Sequence, residues 1–255
     1  MMTHTVTDTT TLMFRSLRET TRQLGFEVQN IFIPLFFFAV TVGAIGNVSA
    51  QAFGVTDYTG FQMPVAILQG VAGAASVSSF GMVNDIEKGY FDKLLLTPTP
   101  RLALVLGRLA ADGVRVVLLT ALILVIGLIF GASMEAGPLG FGMVLLLAGL
   151  FGIAYAGFGL SIALRTGNAQ ASQAGFLIFF PLLFLSPAFA PKEIFDNWLE
   201  VLATINPVTY ILEGMRTLVL EGWDWEALAK AFAAIIGLGA FTQTLVLTAL
   251  RYRVR

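Results

Sequence analysis

Residue types that carry catalysis or hold metals are few in this chain of 255 residues, and their spacing is poor for chemistry. There is no Cys and one His, His4. A thiolate metal site, a disulfide framework and an H-E-x-x-H zinc site are therefore excluded. His4 sits in a Thr-rich stretch and reads as a solvated side chain of an N-terminal tail. Ser161 follows Gly159-Leu160, but nothing nearby can act as its His base, which excludes a serine triad. No G-x-x-x-x-G-K-[ST] occurs: the lysines follow Glu87, Asp92, Pro191 and Ala229, so no Gly-Lys pair exists. The chain thus has no phosphate-binding loop of its own, and no cofactor is expected on it. Asp224 and Glu226 read as solvated charges. Asp112 lies four residues after Arg108 and three before Arg115, a spacing that predicts local ion pairs to both on one helix.

The elements that must position these residues follow from composition. The chain is 56% hydrophobic and 12% charged, with 22 Phe; soluble domains carry about 25% charged residues. Net charge is −1, which argues neither for nor against nucleic acid, and no nucleic-acid partner is expected. Six stretches hold no Asp, Glu, Lys or Arg: 28–56, 58–84, 116–134, 136–164, 166–191 and 231–250. They are continuously apolar rather than alternating, so they predict helices, each long enough or nearly so to cross a bilayer. The expected fold is all-α and integral to the membrane. Spans are placed at about 28–48, 62–83, 108–131, 139–164, 170–190 and 228–250, within one transmembrane domain 28–250. Residues 1–27 are expected to form a cytoplasmic tail and an amphipathic interfacial helix from Leu12 to Val28, and 251–255 a second cytoplasmic tail. No cleavable leader pattern precedes the first apolar stretch. Twelve Lys and Arg fall on the side of the termini and three on the other, so both termini are expected in the cytoplasm of a multi-pass cell-membrane protein.

Two segments are not spans. In Asn84–Gly107, Phe91, Leu94 and Leu95 share one helical face, and Thr97-Pro98-Thr99-Pro100 stops the helix. Such a helix can dock in a partner's groove, or its leucines can rest on the membrane or on neighbouring spans. The second segment runs from about Ala190 to Trp225. Ile194, Trp198, Val201 and Ile205 form one stripe, Asn206-Pro207 interrupts, and Val208, Ile211, Leu212, Met215, Leu218 and Val219 form another. Two short amphipathic helices there could dip into the outer leaflet, cap the mouth of a pathway or form an outer surface hairpin. The six cores lack the ionisable groups that mark ion-coupled transport routes. Transport by this chain would need energy from a partner; otherwise it is a passive pore or an assembly protein.

The chain resembles the permease subunits of type-2 ATP-binding-cassette exporters, close to the daunorubicin-resistance group. Glu87-x-Gly89-x-x-Asp92-x-Leu94-x-x-Thr97-Pro98 is similar to that family's coupling region, with Asp92 where Glu is common. Asn206-Pro207-Val208-Thr209-Tyr210, followed by Arg216, is similar to its outer gate segment. The resemblance implies two six-span permeases, most simply a homodimer, bound to two copies of a cytoplasmic ATPase that carries ATP and Mg. It also implies that Glu87 to Pro98, with Phe91 and Leu95, couples to that ATPase, and that the first and fifth spans meet across the dimer axis. Phe37 and Phe38 on the first span and Phe176 and Phe180 on the fifth favour lipophilic cargo, such as a drug, antibiotic or lipid, unless they only pack. A polysaccharide exporter of the same superfamily and a non-transporting membrane scaffold are the competing readings.

Overall fold

The computed structural model describes residues 2–20, 24–97 and 99–253 of the chain; Pro98 lies outside them. Described residues outside helices form only turns and short connections. In chain order the helices are α1 (Met2–Thr20), α2 (Leu24–Phe53), α3 (Tyr58–Glu87), α4 (Tyr90–Leu95), α5 (Arg101–Ile129), α6 (Gly137–Thr166), α7 (Ala169–Phe184), α8 (Asn197–Ile205), α9 (Pro207–Leu220) and α10 (Trp225–Arg253), with a single 3-10 turn at Lys192–Ile194. Five of them, α2, α3, α5, α6 and α10, are long and apolar enough to cross a membrane. The chain is an all-α integral membrane protein.

The fifth expected span, 170–190, is helical only to Phe184. At 1.5 Å per residue its helix is about 24 Å long, against a hydrocarbon core of about 30 Å. The chain then turns back through α8 and α9 rather than leaving directly.

α3 is the centre of the bundle. Of its most apolar window 83% is buried, against 17% for α2, so α3 faces protein and α2 faces outward. Small residues account for this. α3 carries Gly70, Gly73, Ala74, Ala75, Ser78, Ser79 and Gly81, which let α2, α5, α6 and α7 approach it closely. α10 packs along α6 and α9, and α1 lies along α5.

The N-terminal segment differs from expectation. Helix begins at Met2, within the stretch read as tail, and α1 ends at Thr20, so Val28 belongs to α2 instead. The threonines tolerate helix because their hydroxyls donate back to it: Thr10 and Thr11 both bond the Thr7 carbonyl at 2.9 Å. Gly107 admits α1 against α5, since a Cβ there would stand 2.7 Å from the Leu12 Cβ and 3.1 Å from the Thr9 carbonyl. The inward face of α1 is Leu12, Arg15 and Ser16, while Phe14 points out at 59% exposure. A face carrying an arginine is thus the one that packs.

The start of α1 and the end of α10 lie at the end of the bundle that carries α4. Arg15 of α1 reaches Asp85 near the end of α3. At the far end of α10, Arg253 donates to the Leu164 carbonyl at 3.3 Å, beside the end of α6.

Candidate functional site

The α4 end is built around Asp85. Its carboxylate accepts from Arg15 at 2.8 Å and from Arg108, so α1, α3 and α5 meet on one group. Arg108 also donates to the Gly81 carbonyl at 3.2 Å, and Arg15 lies over the Tyr90 ring at 4.1 Å, tying in α4. Burial acts to lower the pKa of Arg15, but the bond to Asp85 and its charge outweigh that, and the net shift is upward. Two turns further along α5, Arg115 bonds Asp112 at 2.6 Å and the Ser16 carbonyl at 2.7 Å. The expected Asp112–Arg115 pair is present. Arg108 instead crosses to Asp85, because the small residues of α3 leave room for its guanidinium between the two helices.

Gly89 separates α3 from α4 with φ +64°, a left-handed conformation in which a side chain costs about 1–2 kcal/mol. The turn swings α4 back so that Phe91 is buried in the core, at 1% exposure, with Leu94 and Leu95 half-buried against it. The expected apolar face is therefore real but points inward. Within this chain Phe91 packs in the core, while Leu94 and Leu95 stay half-buried. The opposite side presents Glu87, Asp92 and, at 88% exposure, Leu96. Thr97 closes the helix by donating to the Leu94 carbonyl at 2.6 Å.

At the opposite end, Asn206 caps α9 by accepting from the Val208 N–H at 3.0 Å, and donates to the Leu182 carbonyl at 2.5 Å, fastening α9 to α7. Pro207 fills the first helical position, where no N–H is needed. Tyr210 donates to the Thr204 carbonyl at 2.7 Å, joining α8 to α9. Arg216 is buried: its Nε donates to the Phe61 carbonyl at 3.2 Å, and its guanidinium stands 3.5 Å over the Phe61 ring. The α9 stripe from Val208 to Val219 is fully buried, whereas the α8 stripe points outward, with Trp198 63% and Ile205 74% exposed. An open polar vestibule of about 970 Å³ lies here between Asp57, Glu213 and Arg216.

Over residues 7–220 the chain matches the family described as ABC-2 type transporter. It belongs to that family. The matched stretch runs from α1 to the last residue of α9 and leaves α10 outside. Among curated relatives, the "Daunorubicin resistance ABC transporter permease protein DrrB1" of Streptomyces coeruleorubidus is 24% identical over 74% of this chain and 66% of its own length, just under two thirds. The "Probable doxorubicin resistance ABC transporter permease protein DrrC" of Mycobacterium tuberculosis is 24% identical over 75% of this chain and 69% of its own. The "Probable multidrug ABC transporter permease YbhR" of Escherichia coli is 26% identical over 65% and 45%. The chain is thus an ABC transporter permease spanning a membrane several times.

In this ABC-2 chain the four singled-out phenylalanines occupy different surroundings. Phe38 is buried in the core, while its neighbour Phe37 is 48% exposed, its ring edge-on to that of Phe36. Phe176 and Phe180 pair edge to face on α7, their centroids 5.1 Å apart. α2 packs on α3, and α7 on α3 and α6. Leu96 and the Arg15–Asp85–Arg108 cluster were not singled out from the sequence. The acid and its arginines lie far apart along the chain, and no local spacing signals their pairing.

Proposed function

We propose that this chain is the permease of an ATP-driven exporter of lipophilic small molecules, powered by a separate ATPase chain. Two permeases and two ATPases form the working unit, with ATP and Mg on the ATPase. The end carrying α4 and both termini faces the cytoplasm, in keeping with its Lys and Arg. Drug resistance in the names of the relatives supports lipophilic cargo. So does the outward α2 surface, where Phe32 and Phe36 line an apolar groove of about 820 Å³ closed by Ile126 and Phe130.

The observation carrying the proposal is α4 itself. The six residues of α4 are held by a buried Phe91 and an arginine-bridged Asp85, and α4 with its flanks presents Asp92, the preceding Glu87 and an unsupported Leu96 just after it to solvent. Motion imposed on that face would pass through Asp85 into α1, α3 and α5 together.

Co-purification of the ATPase with the permease in detergent tests this. Burying a leucine is worth about 1.5–3 kcal/mol, so Leu96→Asp is expected to weaken ATPase retention about tenfold to a hundredfold. Its own abundance should not change, because Leu96 touches little of this chain. Equal retention by wild type and variant would remove α4 from the contact.

A further inference from the structure

We propose that the notch between α1, the end of α3 and α4 is a binding site for the phosphate headgroup of an anionic phospholipid in the leaflet on the α4 side. The open space there measures about 780 Å³. Arg15 and Arg18 of α1 line one side, and Lys88 and Lys93 the other. Two carboxylates, Asp85 and Glu19, face these four cations. Asp85 is already shared between Arg15 and the buried Arg108. The notch therefore keeps a positive balance. Lys88 and Lys93 are exposed and form no ion pair among the described residues.

Position favours a lipid over an acidic segment of another protein. The notch sits where α3, a continuous apolar span, emerges at its last turn. Phe14 projects beside it at 59% exposure and Tyr90 at 37%. An aromatic flank next to a basic floor suits a molecule with acyl chains on one side and a phosphate on the other. Lysine stems reach such a headgroup while their own methylenes lie along the protein. The site spans three elements, so a bound lipid would also brace α1 against α3 and α4.

The test is native mass spectrometry and thermal melting of the purified full-length protein in detergent, titrated with phosphatidylglycerol, phosphatidylcholine or inorganic phosphate. Phosphatidylglycerol is expected to bind tightest and to raise the melting temperature, and its binding should weaken with salt. Each basic residue near an anionic group is worth about fivefold, so Lys88→Gln with Lys93→Gln should weaken phosphatidylglycerol about 25-fold. Lys192→Gln with Lys230→Gln, at the opposite end, should leave it unchanged. Equal binding of the two lipids, or full retention by the Lys88/Lys93 variant, would overturn the site. Inorganic phosphate that binds and stabilises as well as phosphatidylglycerol would overturn the lipid assignment. Loss of phosphatidylglycerol once the ATPase is bound would assign the notch to protein contact instead.

Discussion

Asp85 accepts from a half-buried arginine and a buried one, and this fixes what its loss would do. Arg108 has a side chain only 6% exposed. With Asp85→Asn it keeps backbone carbonyl partners but loses its counter-charge. Stranding one member of a buried ion pair costs about 3–5 kcal/mol. Asp85→Asn is therefore expected to lower the melting temperature sharply, whereas Glu226→Gln, which breaks an exposed pair with Lys230, should leave the melt unmoved. Equal effects would mean that the α4-end cluster holds nothing together. Two adjacent phenylalanines make a second comparison. Phe38→Ala removes a buried ring and should cost about 3–5 kcal/mol. Phe37→Ala should leave stability near wild type, yet change which hydrophobic compounds stimulate the partner's ATPase. Stimulation unchanged for every compound would make Phe37 a lipid-facing residue with no part in cargo.

At the scale of elements, α1 depends on the absence of a side chain on α5. Gly107→Val would drive methyl groups into the Leu12 side chain and the α1 backbone. Overpacking of this kind costs about 1–3 kcal/mol, and α1 can relieve it by lifting away, which would break the Arg115–Ser16 and Arg15–Asp85 bonds. Hydrogen exchange should then speed up across α1 while α3 and α6 stay protected. Unchanged exchange in α1 would show that it is not seated on α5. α7 poses a different constraint. Its helix is shorter than the hydrocarbon core, so the turns after Phe184 and the capped start of α9 must complete that wall. The Asn206 bond to the Leu182 carbonyl is what holds the two pieces in register.

For the whole molecule, the shared location of the start of α1 and the end of α10 makes topology testable with single cysteines in a Cys-free chain. Under the proposed orientation, an impermeant thiol reagent applied to intact cells should label Glu135→Cys and Asp196→Cys, both exposed at the α9 end. Arg251→Cys, exposed at the α4 end, should label only after the cells are permeabilised. The opposite pattern would invert the protein and place α4 where no cytoplasmic ATPase could reach it. α2 is the least buried of the five candidate spans, as expected of a helix that meets lipid or a second copy of the chain.

Charge-free runs and the absence of a Gly-Lys pair were enough to determine an all-helical membrane chain without a phosphate-binding loop, because bilayer thickness and backbone hydrogen bonding act on consecutive residues. The face shared by Phe91, Leu94 and Leu95, the Asn206-Pro207 break and the α9 stripe were legible for the same reason: each is a local pattern of period or capping. The direction in which a face points is not local. Only the left-handed turn at Gly89 and the packing of α1, α3 and α5 around it turned Phe91 inward and left Leu96 outside. Only the approach of α1 at Gly107 brought Arg15 to Asp85 across the bundle. Helical periodicity states which residues share a side, and the bundle decides which side is buried, since that depends on neighbours as far as 99 or 155 residues away along the chain, as with Ser16 and Arg115 or Phe61 and Arg216.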